Sequence, residues 1–146
     1  MHTIPFVLLL GGCDLFGADL PEGWEEAEPL EDFTQDDCEG DAYDSGVIEA
    51  MSAWADAPGI RVAGDPLHFR CDQEVEAFYQ VGADGVEVLV QPKDMSPRSV
   101  ARCDCLYRVE AGVPEEPPAT VELWRRWDDI NDPNDPILIG SAEVAR

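Results

Sequence analysis

Two cysteines separated by a single residue, Cys103 and Cys105, are the part of the sequence best suited to chemistry. In a β-strand, residues two apart share a face, so we expect both sulfurs on one side of a strand over 99–111. Two further cysteines, Cys38 and Cys71, lie upstream and can meet them. Such a set of thiols can bind a metal ion, take part in redox chemistry or form structural disulfides.

A metal site or a redox site is one reading of these cysteines. His68, Cys71, Cys103 and Cys105 together offer one imidazole and three thiolates, a set that zinc accepts. However, the Cys-x-Cys spacing is not that of a zinc knuckle, and an offset of three residues places His68 and Cys71 on opposite faces of a strand. A redox-active cysteine usually lies at a helix N-terminus or beside a cation, and no helix is predicted here. A metal-binding or thiol-redox protein using Cys71, Cys103 and Cys105 therefore stands as the alternative function.

The beginning of the chain has the pattern of an export signal. The apolar run Ile4–Leu10 is seven residues long, whereas a helix that spans a bilayer needs about 20. The run suits the apolar core of a signal peptide that ends in small residues. Leu10-Gly11-Gly12-Cys13 resembles the lipobox of bacterial lipoproteins, in which the signal peptide is removed before a cysteine that then carries lipid.

This resemblance implies a signal peptide over residues 1–12, a lipidated Cys13 and a membrane-anchored protein of the bacterial cell envelope. The anchor would hold the chain at the outer membrane or at a periplasmic membrane face, and the leaflet stays open. The lipid bilayer is then one partner of the protein through Cys13.

Cysteine parity agrees with export. Once Cys13 carries lipid, four cysteines remain, and an even number in a small exported domain predicts two disulfides. A bridge between Cys103 and Cys105 themselves would close a strained loop. We therefore expect each of them to bond a distant partner, although the residues do not decide which takes Cys38 and which takes Cys71.

Composition limits the function further. The chain has 146 residues, enough for one domain, and a formal net charge of −23. So acidic a surface repels phosphate backbones, which argues against nucleic-acid binding. The sequence shows no Ser-His-Asp grouping and no glycine-rich phosphate loop, so we expect neither an enzyme nor a cofactor.

The segments around the cysteines read as β-structure. Residues 13–37 are acidic and contain prolines, which predicts a flexible tether. The alternative is that Trp24 or Phe33 docks on the domain. From residue 38 to 146, short period-two segments alternate with Gly, Pro and Asp, which predicts an all-β antiparallel sandwich of seven or eight disulfide-stapled strands. Gly64-Asp65-Pro66 is predicted to be a turn between two strands, and Asp84-Gly85 a hairpin turn. We expect strands over 47–54, 59–63, 67–71, 74–81, 86–90, 99–111, 120–127 and 137–144. For 47–54 a short helix is the alternative, because Ala, Met and Glu favour helices.

Two short patterns extend the lipoprotein resemblance to the domain. Phe69-x-Cys71 followed by Cys103-x-Cys105-x-Tyr107-x-Val109 resembles a pattern of small exported bacterial lipoproteins with immunoglobulin-like sandwiches, most of which have no assigned activity. The resemblance covers residues 46–144. It implies an immunoglobulin-like β-sandwich and a non-catalytic binding or structural role in the envelope.

The acidic loop 128–136 is a candidate calcium site. Carboxylate and amide oxygens at Asp129, Asn131, Asp132 and Asp135 are the ligands that a hard cation prefers. The loop lacks the glycine and the distal glutamate of an EF-hand, and prolines interrupt it. The alternative is a solvated hairpin loop.

A second candidate surface lies near the end of the chain. Trp124 and Arg126 alternate away from Val121 and Leu123, which are expected to face the core. Trp124 and Arg126 would then lie on an exposed sheet face, where an aromatic ring can bind an unknown protein or carbohydrate partner. The alternative is that Trp124 packs on the other sheet, with Trp127 at its rim.

Overall fold

The computed structural model describes residues 19–43, 46–95, 103–127 and 135–146. These residues form nine β-strands in two sheets and contain no helix. The predicted all-β architecture is therefore confirmed, and seven of the nine strands lie between residues 38 and 146, as expected. Among the described residues, no helix is long and apolar enough to cross a membrane.

The two sheets contain five and four strands. The five-stranded sheet has the order β1 (Glu28–Pro29), β5 (Val75–Val81), β6 (Val86–Pro92), β8 (Ala119–Arg125) and β9 (Ile137–Val144). The four-stranded sheet has the order β2 (Phe33–Gln35), β7 (Asp104–Val113), β4 (Gly59–Arg70) and β3 (Met51–Asp56). Neighbouring strands are antiparallel except β6 and β8, which are parallel.

The core lies between the facing sheets and follows the period-two pattern of the sequence. Val88 and Val121 come from one sheet, and Phe69 and Tyr107 from the other. Each is at most 4 % exposed, and burying such a side chain stabilises the fold by about 1.5–3 kcal/mol. Cys105 belongs to the same buried cluster, so the disulfides are continuous with the core.

The N-terminal segment corrects the predicted tether over 13–37. Residues 19–37 belong to the domain, because β1 pairs with β5 and β2 pairs with β7. Trp24 and Leu30 are 6 % and 7 % exposed. Most residues between them are acidic or small, so the composition resembles that of a disordered chain although two apolar side chains anchor the segment. Residues 13–18 lie outside the described part of the chain.

This segment crosses the outer face of the five-stranded sheet. Gln91 Nε2 donates to the Asp19 carbonyl at 3.1 Å, and Gln80 Nε2 donates to the Gly23 carbonyl at 3.0 Å. Phe78 and Leu89 point away from the main core but are only 4 % and 0 % exposed. Trp24 of the crossing segment is likewise buried outside the main core cluster.

β4 corrects the predicted turn at Gly64-Asp65-Pro66. The chain forms one strand from Gly59 to Arg70, and its pairing with β7 shifts register between Gly64 and Leu67. Pro66 has no N–H to offer the ladder, and a bulge is where a sheet tolerates such a residue. The residues Gly64-Asp65-Pro66, which the sequence predicts to form a turn, therefore form a β-bulge within one strand.

β9 contains a second register shift. Leu123 pairs with Gly140, but Trp124 pairs with Leu138, so Ile139 is the extra residue. Ile139 packs against the core, and Leu138, which the alternation pattern places inward, is 48 % exposed. An inserted residue moves the side chains beyond it to the other face, which the alternation pattern cannot anticipate.

Two local predictions concern the segment over 47–54 and the turn at Asp84-Gly85. The strand predicted over 47–54 is confirmed only in its second half, because β3 spans Met51–Asp56 and residues 47–50 precede it. Asp84-Gly85 lies in the turn between β5 and β6, where the Gly82 N–H donates to the Gly85 carbonyl at 2.7 Å. Gly85 has φ +153°, and a Cβ there would collide with the carbonyl oxygen of Thr120, so the position requires glycine.

Candidate functional site

Two disulfides join the four cysteines of the domain. Cys38 bonds Cys105, and Cys71 bonds Cys103, with Cα–Cα distances of 5.6 and 5.3 Å. The prediction that Cys103 and Cys105 bond two different, distant partners is confirmed. The structure also decides the pairing that the sequence left open. We call these four residues the cysteine cluster.

Main-chain hydrogen bonds on both edges of β7 bring the cysteine cluster together. On one edge, the Cys71 N–H donates to the Cys103 carbonyl at 2.8 Å, just beyond the last pairs of β4 with β7. On the other edge, Glu39 and Gly40 bond the main chain of Leu106 at 2.9 and 3.1 Å, which carries Cys38 alongside. Three chain segments that are distant in sequence thus converge at the start of one strand.

The two disulfides touch each other. Sγ of Cys71 lies 3.0 Å from Sγ of Cys105, which belongs to the other bridge. The sulfurs of Cys71, Cys103 and Cys105 all lie within 4.8 Å of one another. β7 begins at Asp104, so Cys103 precedes the strand that was predicted over 99–111. The sulfurs of Cys103 and Cys105 are therefore brought together by the contact between the two bridges, not by alternation along one strand.

The three close sulfurs would suit a metal ion only as thiolates. Zinc binds deprotonated cysteine, and a sulfur held in a disulfide does not provide that ligand. His68 does not join the three sulfurs within the same 4.8 Å. In the oxidised protein the cysteine cluster is therefore a pair of covalent bridges.

A surface depression of about 340 Å³ opens at the cysteine cluster. Its walls include the carboxylates of Asp41 and Asp104 and the ring of Tyr43, which is 75 % exposed. Negative charge beside an exposed aromatic face attracts cationic groups. The lining residues are Cys38, Gly40, Asp41, Tyr43, Cys103, Asp104 and Cys105.

Tyr43 is held in this depression by its acidic neighbours. Its main-chain N–H donates to Asp41 Oδ1 at 2.8 Å. The side-chain hydrogen bond with Asp104, and the negative charge of that carboxylate, raise the pKa of the Tyr43 hydroxyl above its usual value. The Tyr43 hydroxyl can act as a hydrogen-bond donor.

His68 lies next to Tyr43 but outside the cysteine cluster. Its ring packs edge-on against Tyr43 at 5.9 Å and against Trp127 at 4.7 Å between centroids. Its Nε2 is buried, and Asp104 Oδ1 lies 3.6 Å away. This is too far for a hydrogen bond, so Nε2 has no hydrogen-bond partner within the described ranges. His68 thus serves as a packed ring between two aromatic side chains.

Side chains cap the free edge of β4 at His68. β3 pairs with β4 only as far as Gly64, which leaves the main chain of His68 without a neighbouring strand on that side. The His68 N–H donates to Glu49 Oε2 at 2.9 Å, and Trp127 Nε1 donates to the His68 carbonyl at 2.8 Å. A strand edge that is satisfied in this way cannot recruit another strand.

Arg125 holds in place the capping side chains of Glu49 and Trp127, which we call the edge cap. Sequence reasoning did not identify Arg125. Arg125 donates to both carboxylate oxygens of Glu49, at 2.8 and 2.6 Å, and lies 4.4 Å from the centre of the Trp127 ring. A signal was present, because Arg125 continues the inward alternation of Val121 and Leu123. A charge at an inward position predicts a buried partner, but nothing in the sequence points to Glu49.

The proposed binding surface at Trp124 and Arg126 is corrected in part. Trp124 is partly exposed, and its Nε1 donates to Glu122 Oε2 at 3.2 Å. Arg126 is 5 % exposed, and its Nη1 donates to the Asp19 carbonyl and to Gln91 Oε1. The predicted exposure of Arg126 is wrong because the N-terminal segment covers this end of the sheet. The same burial lowers the pKa of Arg126.

Two other predicted sites fall largely outside the described residues. Of the candidate calcium ligands, Asp129, Asn131 and Asp132 lie in the undescribed range 128–134, and Asp135 is exposed. Cys13 of the proposed lipobox also lies outside the described residues. Calcium binding and lipidation therefore stay predictions.

Comparison with known proteins adds no assignment. No protein-family model, no curated protein and no solved structure matches the chain.

Proposed function

We propose that the protein is an exported bacterial lipoprotein whose sandwich domain acts as a non-catalytic binding or structural module of the cell envelope. One observation carries most of the weight: both cysteine pairs of the domain are oxidised. Structural disulfides persist in compartments outside the reducing cytosol. Leu10-Gly11-Gly12-Cys13, after an apolar run, supplies the route of export and the anchor.

The position of the first described residues supports a short connection to the membrane. Asp19 is already bound to the domain through Gln91 and Arg126. Six residue steps separate it from Cys13, and these span at most about 20 Å. A lipid on Cys13 would therefore hold the domain close to the bilayer, so the module would act at the membrane surface.

The depression beside the cysteine cluster is the surface that best suits a ligand. It combines the ring of Tyr43 with the carboxylates of Asp41 and Asp104. These groups favour a cationic group on a protein or carbohydrate partner.

Replacement of the proposed lipid-bearing residue tests the function. Cys13→Ser should move the protein from the membrane fraction to the soluble exported fraction, because the acyl chains that anchor it are absent. Gly12→Ala is the matched control, since it keeps a small residue before the cysteine and should leave the protein on the membrane. Retention of Cys13→Ser on membranes after a high-salt wash, or an intact mass without lipid for the unaltered protein, would contradict the proposal.

A further inference from the structure

We propose that a low-molecular-weight thiol converts the cysteine cluster to a second pairing, in which Cys71 bonds Cys105 and Cys38 bonds Cys103. The cysteine cluster would then be a thiol-responsive disulfide switch. This goes beyond the proposed envelope role and does not depend on the lipid anchor.

The switch follows from how the sulfurs are arranged. Each bridge joins one exposed cysteine, Cys38 or Cys103, to one that is more buried, Cys105 or Cys71. The two inner sulfurs are the pair that lies 3.0 Å apart. A disulfide bond length is about 2.05 Å, so a displacement of about 1 Å would bring the inner sulfurs to bonding distance.

Attack from solvent releases an inner sulfur whichever bridge reacts. A thiolate RS⁻ that attacks Cys103 Sγ forms an R–S–Cys103 mixed disulfide and breaks the Cys71–Cys103 bond, and the electron pair leaves on Cys71. An attack at Cys38 breaks the other bridge in the same way and leaves the electron pair on Cys105. In both cases the new thiolate belongs to the pair in contact.

The second step forms the inner bridge. After attack at Cys103, the Cys71 thiolate attacks Cys105 Sγ, the Cys71–Cys105 bond forms, and the electron pair leaves on Cys38 as a thiolate. Two disulfides and one thiolate are present before and after these steps, so no oxidant is consumed.

The third step regenerates the external thiol. The Cys38 thiolate attacks the Cys103 sulfur of the mixed disulfide, forms Cys38–Cys103 and releases RS⁻. Both residues line the same depression, which keeps them near each other and open to solvent. The external thiol therefore acts as a catalyst for the change of pairing.

Disulfide mapping after exposure to thiol tests the proposal. The full chain carrying Cys13→Ser, which removes the fifth thiol, is incubated with 2-mercaptoethanol at a substoichiometric ratio and quenched by alkylation at low pH. Cleavage on the amino side of aspartate separates Cys103 from Asp104 and places the four cysteines on four different peptides. We expect loss of both starting links, matched by gain of a Cys71–Cys105 link. Persistence of the starting links alone, or their loss to free thiols without that link, would overturn the proposal.

A pair of double variants provides a second measurement. Cys38→Ser with Cys103→Ser leaves only the inner cysteines, which should form a disulfide in the exported protein. Cys38→Ser with Cys71→Ser leaves Cys103 and Cys105, which should stay free thiols because so short a loop is strained. If the inner cysteines stay free in a folded variant, the proposal is wrong. If a variant does not fold, the exchange experiment on the Cys13→Ser chain decides alone.

Discussion

The ion pair between Glu49 and Arg125 is an interaction of two side chains with a large expected effect on stability. The side chains are 20 % and 7 % exposed. Glu49→Ala would leave the Arg125 guanidinium buried without its carboxylate and would free the His68 N–H. Breaking a buried pair from one side costs about 3 kcal/mol. We expect denaturant unfolding of Glu49→Ala to show a loss of that size.

The matched control for Glu49 is an exposed pair. Glu74 lies 3.4 Å from Lys93, with side chains 80 % and 57 % exposed. Exposed pairs contribute about 0–1 kcal/mol, so Glu74→Ala should leave the free energy of unfolding almost unchanged. Equal effects of Glu49→Ala and Glu74→Ala would contradict the role assigned to the edge cap.

Glu76 links stability to pH. Burial raises the pKa of its carboxyl above the usual value, while a hydrogen bond from Gln91 and the charge of Lys93 oppose this. The folded state therefore binds the proton more tightly than the unfolded state. The stability that the protonated Glu76 carboxyl contributes is complete below the unfolded-state pKa and is lost as pH rises through the folded-state pKa.

Glu76→Gln should consequently increase the free energy of unfolding more at pH 7 than at pH 4, when each value is compared with that of the unaltered protein at the same pH. We expect a difference of roughly half a kcal/mol, because the group is only partly buried and solvent screens it. Urea unfolding at the two pH values measures it. Glu74→Gln, two residues away on an exposed side chain, should show no comparable pH dependence; the same dependence in both variants would show that the effect is not specific to Glu76.

At the scale of elements, the N-terminal segment over residues 19–37 differs most from its prediction, because it packs on the domain and is not a tether. Trp24 is 6 % exposed, and the residues around it are bound to β5 and β6 through Gln80 and Gln91. Trp24→Ala should destabilise the domain by about 3 kcal/mol, which is within the range for truncation of a buried aromatic. It should also increase protease cleavage within residues 19–27.

Trp54→Ala is the control for the N-terminal segment, because Trp54 is 40 % exposed on β3. Its truncation should cost less than half as much as that of Trp24. If Trp24→Ala has no effect on unfolding, the segment is a tether after all, and the structural correction of residues 19–37 fails.

The β-sandwich and the two disulfides could be predicted from the sequence. The alternation of apolar residues in β5 to β8 indicates strands directly, because one face must be buried. Parity and export indicate two disulfides without reference to geometry. Both arguments are local or arithmetical, and neither requires knowledge of which segments meet in space.

Other features depend on long-range packing that no local pattern records. β1 and β2 have two and three residues, too few to show a period. The pairing of Cys38 with Cys105 depends on the segment around Glu39 lying beside β7. The edge cap joins Glu49 to Arg125 across 76 positions. These features follow from tertiary contacts, so sequence reasoning could not establish them.

At the scale of the whole molecule, the net charge of −23 governs what approaches the cysteine cluster. The depression at the cysteine cluster adds two carboxylates, those of Asp41 and Asp104, to this overall field. The exchange proposed above begins with an external thiolate, whose approach depends on its own net charge. The charge of the reagent should therefore control the rate of the first step.

We expect the rate of disulfide exchange to fall from 2-aminoethanethiol, which is cationic, through 2-mercaptoethanol to anionic 2-mercaptoethanesulfonate. Each rate is divided by that of the same thiol with an uncharged small disulfide, which removes differences in intrinsic reactivity. A charge difference of two units near several carboxylates should separate the extremes by about tenfold in dilute buffer. At 1 M salt the screening length is about 3 Å, so the rates should converge.

Asp41→Asn should reduce the difference in rate between the cationic and anionic thiols. Asp84→Asn, in the β5–β6 turn away from the cysteine cluster, should not. Equal normalised rates for the three thiols in dilute buffer would contradict electrostatic control at this site.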